Sequence, residues 1–207
     1  MRRTVVAAVL ILVISCIQNE AAHAVSLDFS PPAQTVTLGS PVSIDINISG
    51  LGLPPALGAF DITVNFDPAI LSFSSALYGN GLDLGINGSY QESPYVDIGE
   101  ATLYEESYED VSDLLNNQPS SFRLFTLSFD TIGTGTSGLT FRYASLWDED
   151  GNDIDDFLLS TGSITVTTPL PITGAVPEPS TVVLLTSGLL GLALWRTRKS
   201  EDLVHRT

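Results

Sequence analysis

Between Val25 and Val176 the chain has no lysine, no histidine and no cysteine, and its only basic side chains are Arg123 and Arg142. Those absences exclude whole classes of chemistry. Without histidine, cysteine or lysine there is no Ser-His-Asp or Cys-His arrangement, no thiol or amine nucleophile and no imidazole metal site. Two arginines stand against 20 of the chain's 24 acidic residues, a net charge of −18 over this stretch. Almost nothing can neutralise phosphates, so nucleic acid is excluded as a partner and anionic lipid is disfavoured. The single cysteine, Cys16, lies outside the stretch, so no disulfide ties it together and its apolar core must do so alone.

Long apolar runs are scarce, and both lie at the ends. Arg2 and Arg3 form a basic start, Val5 to Ile14 an apolar run too short to span a bilayer, and Ala22-His23-Ala24 a small-x-small cleavage site. Residues 1–24 therefore read as a signal peptide cut after Ala24, with the mature chain starting at Val25. A competing cut before Cys16 follows from Val13-Ile14-Ser15-Cys16, a lipobox-like sequence; a lipid there would duplicate the C-terminal tether. At the other end Val176-Pro177-Glu178-Pro179-Ser180 precedes an uncharged run, about residues 180–195, and then Trp195-Arg196-Thr197-Arg198-Lys199. Proline fixes φ and lacks an N–H, so a helix can begin only after the triad. The run is slightly short of the roughly 20 residues that span a bilayer comfortably, and Arg196, Arg198 and Lys199 would stay cytoplasmic.

This tail resembles the PEP-CTERM sorting segment of Gram-negative bacteria, a Pro-Glu-Pro triad, one short membrane helix and a basic cluster in that order. The resemblance implies that 177–199 is a sorting segment, that Pro177, Glu178 and Pro179 are read by an exosortase-type membrane protease, and that the helix with Arg196, Arg198 and Lys199 holds the chain in the membrane until it is cut. It implies export through the inner membrane to the cell surface or extracellular matrix. Residues 169–176 would be a linker and 200–207 a short cytoplasmic tail, longer than the resemblance leads one to expect.

Between the ends the hydrophobic period is two. Phe60 to Phe66 and Val42 to Ile48 alternate apolar and polar without fault, the pattern of half-buried strands. Further strands are expected at Leu27 to Phe29, Thr35 to Leu38, Ile70 to Phe73, Tyr95 to Ile98, Phe122 to Phe129, Leu139 to Leu146, Phe157 to Leu159 and Ser163 to Thr167. Pro31-Pro32, the Gly50 to Pro55 stretch, Asp67-Pro68, Gly79-Asn80-Gly81, Gly133 to Gly138 and Gly151-Asn152 read as breakers between them. Only Val111 to Asn117 reads as helix. About nine short strands predict an all-β, two-sheet sandwich over 25–168, because a sheet with one apolar face must cover it with another. The order of segments, carried by Leu57 to Leu71, Gln118 to Phe129 and Gly162 to Val166, resembles a cohesin-type jelly roll, a fold shared with carbohydrate-binding modules. That resemblance implies the fold and no particular ligand.

Two acidic stretches are the candidate chemistry. In Asp148 to Asp156, oxygens recur at every other residue in Asp148, Asp150 and Asn152, the spacing of a calcium loop. The sixth and twelfth places hold Asp153 and Leu159 where an EF-type loop needs glycine and glutamate. The alternative is a polar hairpin tip whose Gly151-Asn152 turns the chain between Leu146 and Phe157. Calcium is thus the one cofactor in view, and only here. The second stretch, Glu100 to Asp113, sets Tyr104 and Tyr108 among carboxylates and reads as a solvated loop before the helix, or else as a sugar-binding face. Taken together, the residues predict an exported, non-enzymatic surface or matrix protein whose sandwich makes structural or adhesive contacts. A discrete carbohydrate- or protein-binding module is the second reading, and a two-carboxylate glycoside hydrolase the remote third.

Overall fold

The structure is a computed structural model that describes residues 24–52, 54–169 and 183–192. The chain divides into two units, Met1–Thr168 and Pro169–Thr207. The first is the sandwich. Its strands are β1 (Val25–Ser30), β2 (Ala33–Thr37), β3 (Pro41–Ser49), β4 (Leu57–Asn65), β5 (Leu71–Tyr78), β6 (Ser89–Gln91), β7 (Tyr95–Asp97) and β8 (Glu100–Ser107). A short helix α1 (Val111–Asn117) follows, then β9 (Phe122–Thr131), β10 (Gly135–Asp148), β11 (Phe157–Leu159) and β12 (Gly162–Thr167). Sheet I has the order β11-β1-β3-β9-β5, and sheet II the order β2-β12-β10-β4-β8-β6 with β7 also paired to β8.

Alternation explains why the two sheets face each other. Along β3 the buried residues are Val42, Ile44, Ile46 and Ile48; along β9 they include Leu124, Phe125, Leu127 and Phe129; along β4 they include Phe60, Ile62 and Val64. Side chains two apart share a face, so each strand turns its apolar row inward and its Ser, Thr, Asp and Asn outward. Phe60 of sheet II stacks on Phe125 of sheet I, centroids 5.7 Å apart, and Phe66 meets Phe129 at 4.9 Å. Every strand pair is antiparallel except two. β1 runs parallel to β11 in sheet I, and β2 runs parallel to β12 in sheet II. Pro31-Pro32 stands between β1 and β2, where the chain leaves one sheet for the other. Proline cannot donate to a ladder, so the strand ends there.

The expected two-sheet sandwich forms, with twelve strands where about nine were read. The Asp67-Pro68 breaker is a tight turn in which Asp67 Oδ1 accepts the Ala69 N–H (2.9 Å) and the Asp67 carbonyl accepts Leu71 N–H (2.9 Å). The helix at Val111 to Asn117 lies where its pattern put it, burying Leu114. Two readings need correction, and a third holds only in part. Gly133 to Gly138 is no simple breaker, because β10 starts at Gly135 and pairs with β12 from Gly135↔Val166 onward. Glu100 to Ser107 is not a solvated loop but β8, paired along its length with β4. The turn at Gly151-Asn152 is a hairpin tip, with Trp147 bridging Asp153 antiparallel and the Ile154 N–H donating to the Leu146 carbonyl, but the return stops there, because β10 lies in sheet II and β11 crosses to sheet I.

In the second unit the described residues 183–192 are helical and expose their apolar side chains. At 1.5 Å per residue that is about 15 Å, roughly half a bilayer core. No helix among the described residues is long and apolar enough to cross a membrane. The rest of the expected membrane helix at 180–195, the sorting triad, the basic cluster and the signal peptide lie outside the described residues.

Replacing Phe125 by alanine should destabilise the sandwich by about 3–5 kcal/mol, because a fully buried ring stacked across the two sheets leaves a cavity. Urea unfolding followed by circular dichroism would measure it; a loss under about 1 kcal/mol would contradict an inter-sheet core centred on this ring.

Candidate functional site

The outward face of sheet II concentrates the exposed aromatic side chains of the sandwich. The registers of β10, β4, β8, β6 and β7 line up its side chains in rows. Trp147, Ala59, Glu106 and Tyr90 form one row; Ser145, Asp61 and Tyr104 the next; Tyr143, Thr63, Thr102 and Tyr95 the third. A fourth pairs Asn65 with Glu100 and Asp97. Tyr95, Tyr143 and Tyr90 are 67%, 51% and 46% exposed, so the aromatic rings stand open to solvent at the sides of the face while its middle is polar. Tyr90 and Tyr104 meet edge to face at 6.3 Å, an arrangement that fixes both rings.

The charge here has one dominant sign. Arg142 pairs with Glu100 at one end of the face. Asp61 and Asn65 each bury a side-chain oxygen, Oδ1, without a hydrogen-bond partner among the described residues, beneath the polar middle of the face. Burial pushes the Asp61 carboxyl up, and the nearby Glu92 adds to it. The Tyr104 hydroxyl, which donates to Glu106 Oε2 at 3.1 Å, is raised to about 12 by burial first and then by its bond to and the charge of Glu106. Tyr78 donates to the Glu92 carbonyl and is likewise raised to about 12, mainly by burial.

Two carboxylates of the second acidic stretch are structural, which the sequence pattern did not suggest. Glu105 points inward from β8, 1% exposed, and accepts Ser89 Oγ–H (2.7 Å) and Gln91 Nε2–H (2.9 Å). Burial raises its carboxyl above the ordinary 4.5, opposed by those two bonds. Glu109 accepts the main-chain N–H groups of Leu84, Ile86, Asn87 and Gly88, at 2.9–3.3 Å. Gly85 and Gly88 take positive φ in that loop, which lets consecutive N–H groups turn toward one carboxylate. Desolvation works against its charge, and the N–H groups of Asn87, Ile86, Gly88 and Leu84 outweigh it, holding Glu109 below its ordinary value. Buried Gln118 was missed too; its amide exchanges bonds with the Leu57 main chain (2.7 and 2.9 Å) and donates to the Gly81 carbonyl (3.0 Å). Only Ala101 and Leu103, alternating with Thr102 and Tyr104, signalled the strand.

The 148–156 loop is a closed turn. Asp148 Oδ1 accepts the main-chain N–H groups of Asp150 (2.9 Å) and Asn152 (2.8 Å), and the Asn152 side-chain amide donates to the same carboxylate. Desolvation opposes the Asp148 charge, but the Asn152 side chain and the main-chain donors hold it below the usual range. Of the calcium candidates, Asp148 and Asn152 are thus bonded to each other, and Asp150 enters through its main chain. Among the described residues no group of three or more acidic, histidine or cysteine side chains comes together to hold a metal ion. Of the processing residues, Ala24 is exposed immediately before β1, and Ala22, Pro177, Glu178, Pro179, Arg196, Arg198 and Lys199 fall outside the described residues.

Residues 175–199 match the PEP-CTERM protein-sorting motif. The sandwich is similar to solved cohesin modules. The seventh ScaB type I cohesin from Pseudobacteroides cellulosolvens is 14% identical with a TM-score of 0.57, over 73% of this chain and 97% of that one. CaCohA2 from Clostridium acetobutylicum is 21% identical with a TM-score of 0.55, over 72% and 95%. A type I cohesin–dockerin complex from Clostridium thermocellum gives 10% and 0.56, over 70% and 99%. No curated protein matches the chain. The chain thus carries a PEP-CTERM sorting motif, which points to export, behind a cohesin-like sandwich.

The two buried glutamates set opposite pH dependences. Glu109, lowered in the fold, contributes stability that is full above the unfolded carboxyl value and is lost as pH falls through its depressed folded value. Glu105, raised in the fold, favours folding below the unfolded value and loses that contribution as pH rises through its raised one. Glu105→Gln should therefore raise the melting temperature at neutral pH and converge on wild type in acid, whereas Glu109→Gln should lower it at neutral pH and converge likewise. Melting curves from acid to neutral pH that shift both variants in the same direction would contradict these assignments.

Proposed function

We propose that the chain is an exported, non-enzymatic protein of a Gram-negative cell surface or extracellular matrix. An exosortase-type membrane protease processes it at Pro177-Glu178-Pro179, and its sandwich holds another protein through the outward face of sheet II. The sorting motif at 175–199 supports the route. The observation that carries the binding role is the face itself: open tyrosines at the sides of a polar, acidic middle. Amphipathic rings are what a protein interface uses for contact area. The Clostridium thermocellum relative was solved with a dockerin bound, and by that likeness a protein is the ligand class favoured here. A sugar stacked on Tyr95 or Tyr143 is the second reading, favoured by the same exposed rings. Catalysis finds no support in a domain without histidine, lysine or cysteine.

Alanine at Pro177, Glu178 and Pro179 together should keep the full-length precursor in the membrane fraction, seen as a larger band on immunoblots of fractionated native cells. Release of normal-sized product would refute the processing route. Tyr95→Ala and Tyr143→Ala, both on open side chains, should each weaken retention by proteins of the native matrix by about 1–2 kcal/mol without changing the melting temperature. Retention unchanged by the pair, or abolished by deglycosylating the matrix and not by protease, would reject the protein-binding face.

A further inference from the structure

Where β4 begins and β8 and β10 end, next to α1 and the 148–151 turn, the sandwich leaves a cavity of about 310 Å³. Its floor is Gly58-Ala59, the smallest pair on the face, and the register sets Ala59 directly between Trp147 and Glu106. Glycine is required at 58, since a Cβ there would strike the Asp148 carbonyl. Trp147 and Tyr104 give the cavity aromatic walls, and Glu106, Asp148 and Glu149 ring it.

Its hydrogen-bonding character is weighted toward acceptors. The Tyr104 hydroxyl proton is already given to Glu106, and the Ser107 hydroxyl proton to the Leu82 carbonyl. Glu149 Oε2 is steadied by the Ala56 N–H (2.8 Å), and the second oxygens of Glu149 and Glu106 have no partner among the described residues. The lining carboxylates are thus acceptors with no free hydroxyl proton beside them, the Trp147 indole N–H is the one side-chain donor left among the lining residues, and no basic residue lines the cavity. A ligand that only donates matches it: an ammonium or, better, a guanidinium, whose planar fork meets carboxylates in pairs and stacks on an indole. A neutral sugar, which brings as many acceptors as donors, fits it less well. The volume admits one long side chain and not a folded element.

We propose that this cavity is an arginine-accepting subsite, taking one guanidinium from a basic segment of the partner between Trp147, Glu106 and Glu149. The proposal rests on the reading of sheet II's outer face as the protein-binding face, of which the cavity is the corner. The net charge of −16 for the whole chain draws a basic segment to it, and salt weakens the attraction.

The test needs no partner. In the full chain carrying Trp195→Phe and held in detergent, Trp147 is the sole indole. N-acetyl-arginine amide should change its fluorescence saturably in the millimolar range and more weakly at high salt. The uncharged isostere N-acetyl-citrulline amide and methyl glucoside should not. Glu106→Gln with Glu149→Gln should weaken the arginine response about fivefold or more. No saturation by the arginine amide, or an equal response to citrulline or glucoside, overturns the proposal, and that comparison within one protein stands even if the double variant fails to fold. Since Tyr95 and Tyr143 do not line the cavity, matrix retention lost in their alanine variants alongside a flat arginine titration would reject the subsite alone. A saturating titration with retention unchanged by those variants would reject the wider face alone.

Discussion

Everything in the sandwich follows from two apolar sheet faces that can leave water only against each other. No disulfide ties the sandwich, so Phe60, Phe125, Phe129 and the isoleucines of β3 hold it together by area and close packing. This constraint fixes the parity of each strand, and parity fixes what faces outward. The tyrosine and carboxylate rows of sheet II are the reverse side of the same alternation that buries Phe60, Ile62 and Val64. Closure is a long-range matter. Each N-terminal strand finds its parallel partner near the C-terminal end of the domain, β1 on β11 and β2 on β12, so the fold is complete only once 162–167 is in place.

The acids divide into those the fold uses and those it leaves. Glu109 and Asp148 are wrapped by main-chain N–H groups and serve to set loops, which removes them from any ligand. Glu105 is enclosed under β6 with two donors. Asp61, Glu106 and Glu149 keep oxygens without partners, and these converge on one face and its corner. A strongly acidic composition alone speaks of solubility and repulsion. The division between spent and unspent carboxylates turns that general statement into a located surface. The likeness to cohesin modules, at 10–21% identity, fixes the architecture, and the side chains of this chain set its surface.

Fault-free alternation in 42–48 and 60–66 made β3 and β4 legible, since every inward residue there is apolar, and Asp67-Pro68 marked the following turn. β8 was illegible for a definite reason. Its inward positions are Ala101, Leu103 and Glu105, and a carboxylate on the core side breaks the pattern unless the Ser89 and Gln91 that satisfy it are known to lie alongside. β10 was cut short by its glycines, which pair through the main chain with β12 and need no side-chain signal. The acidic turn at 148–152 was legible as a hairpin tip, but not the departure of Phe157 to the other sheet, because that membership is decided by β1, more than a hundred residues away.

The sequence by itself determined the all-β class, the sorting motif and the kinds of chemistry ruled out, because these depend on local period, on short contiguous motifs and on residues simply absent. Tertiary structure alone decided which carboxylates are satisfied, which tyrosines share a face, and that Trp147 and Glu106 line one cavity on either side of Ala59. Those neighbours are set by strand register across residues far apart in the chain, and register is fixed by burying both sheets at once.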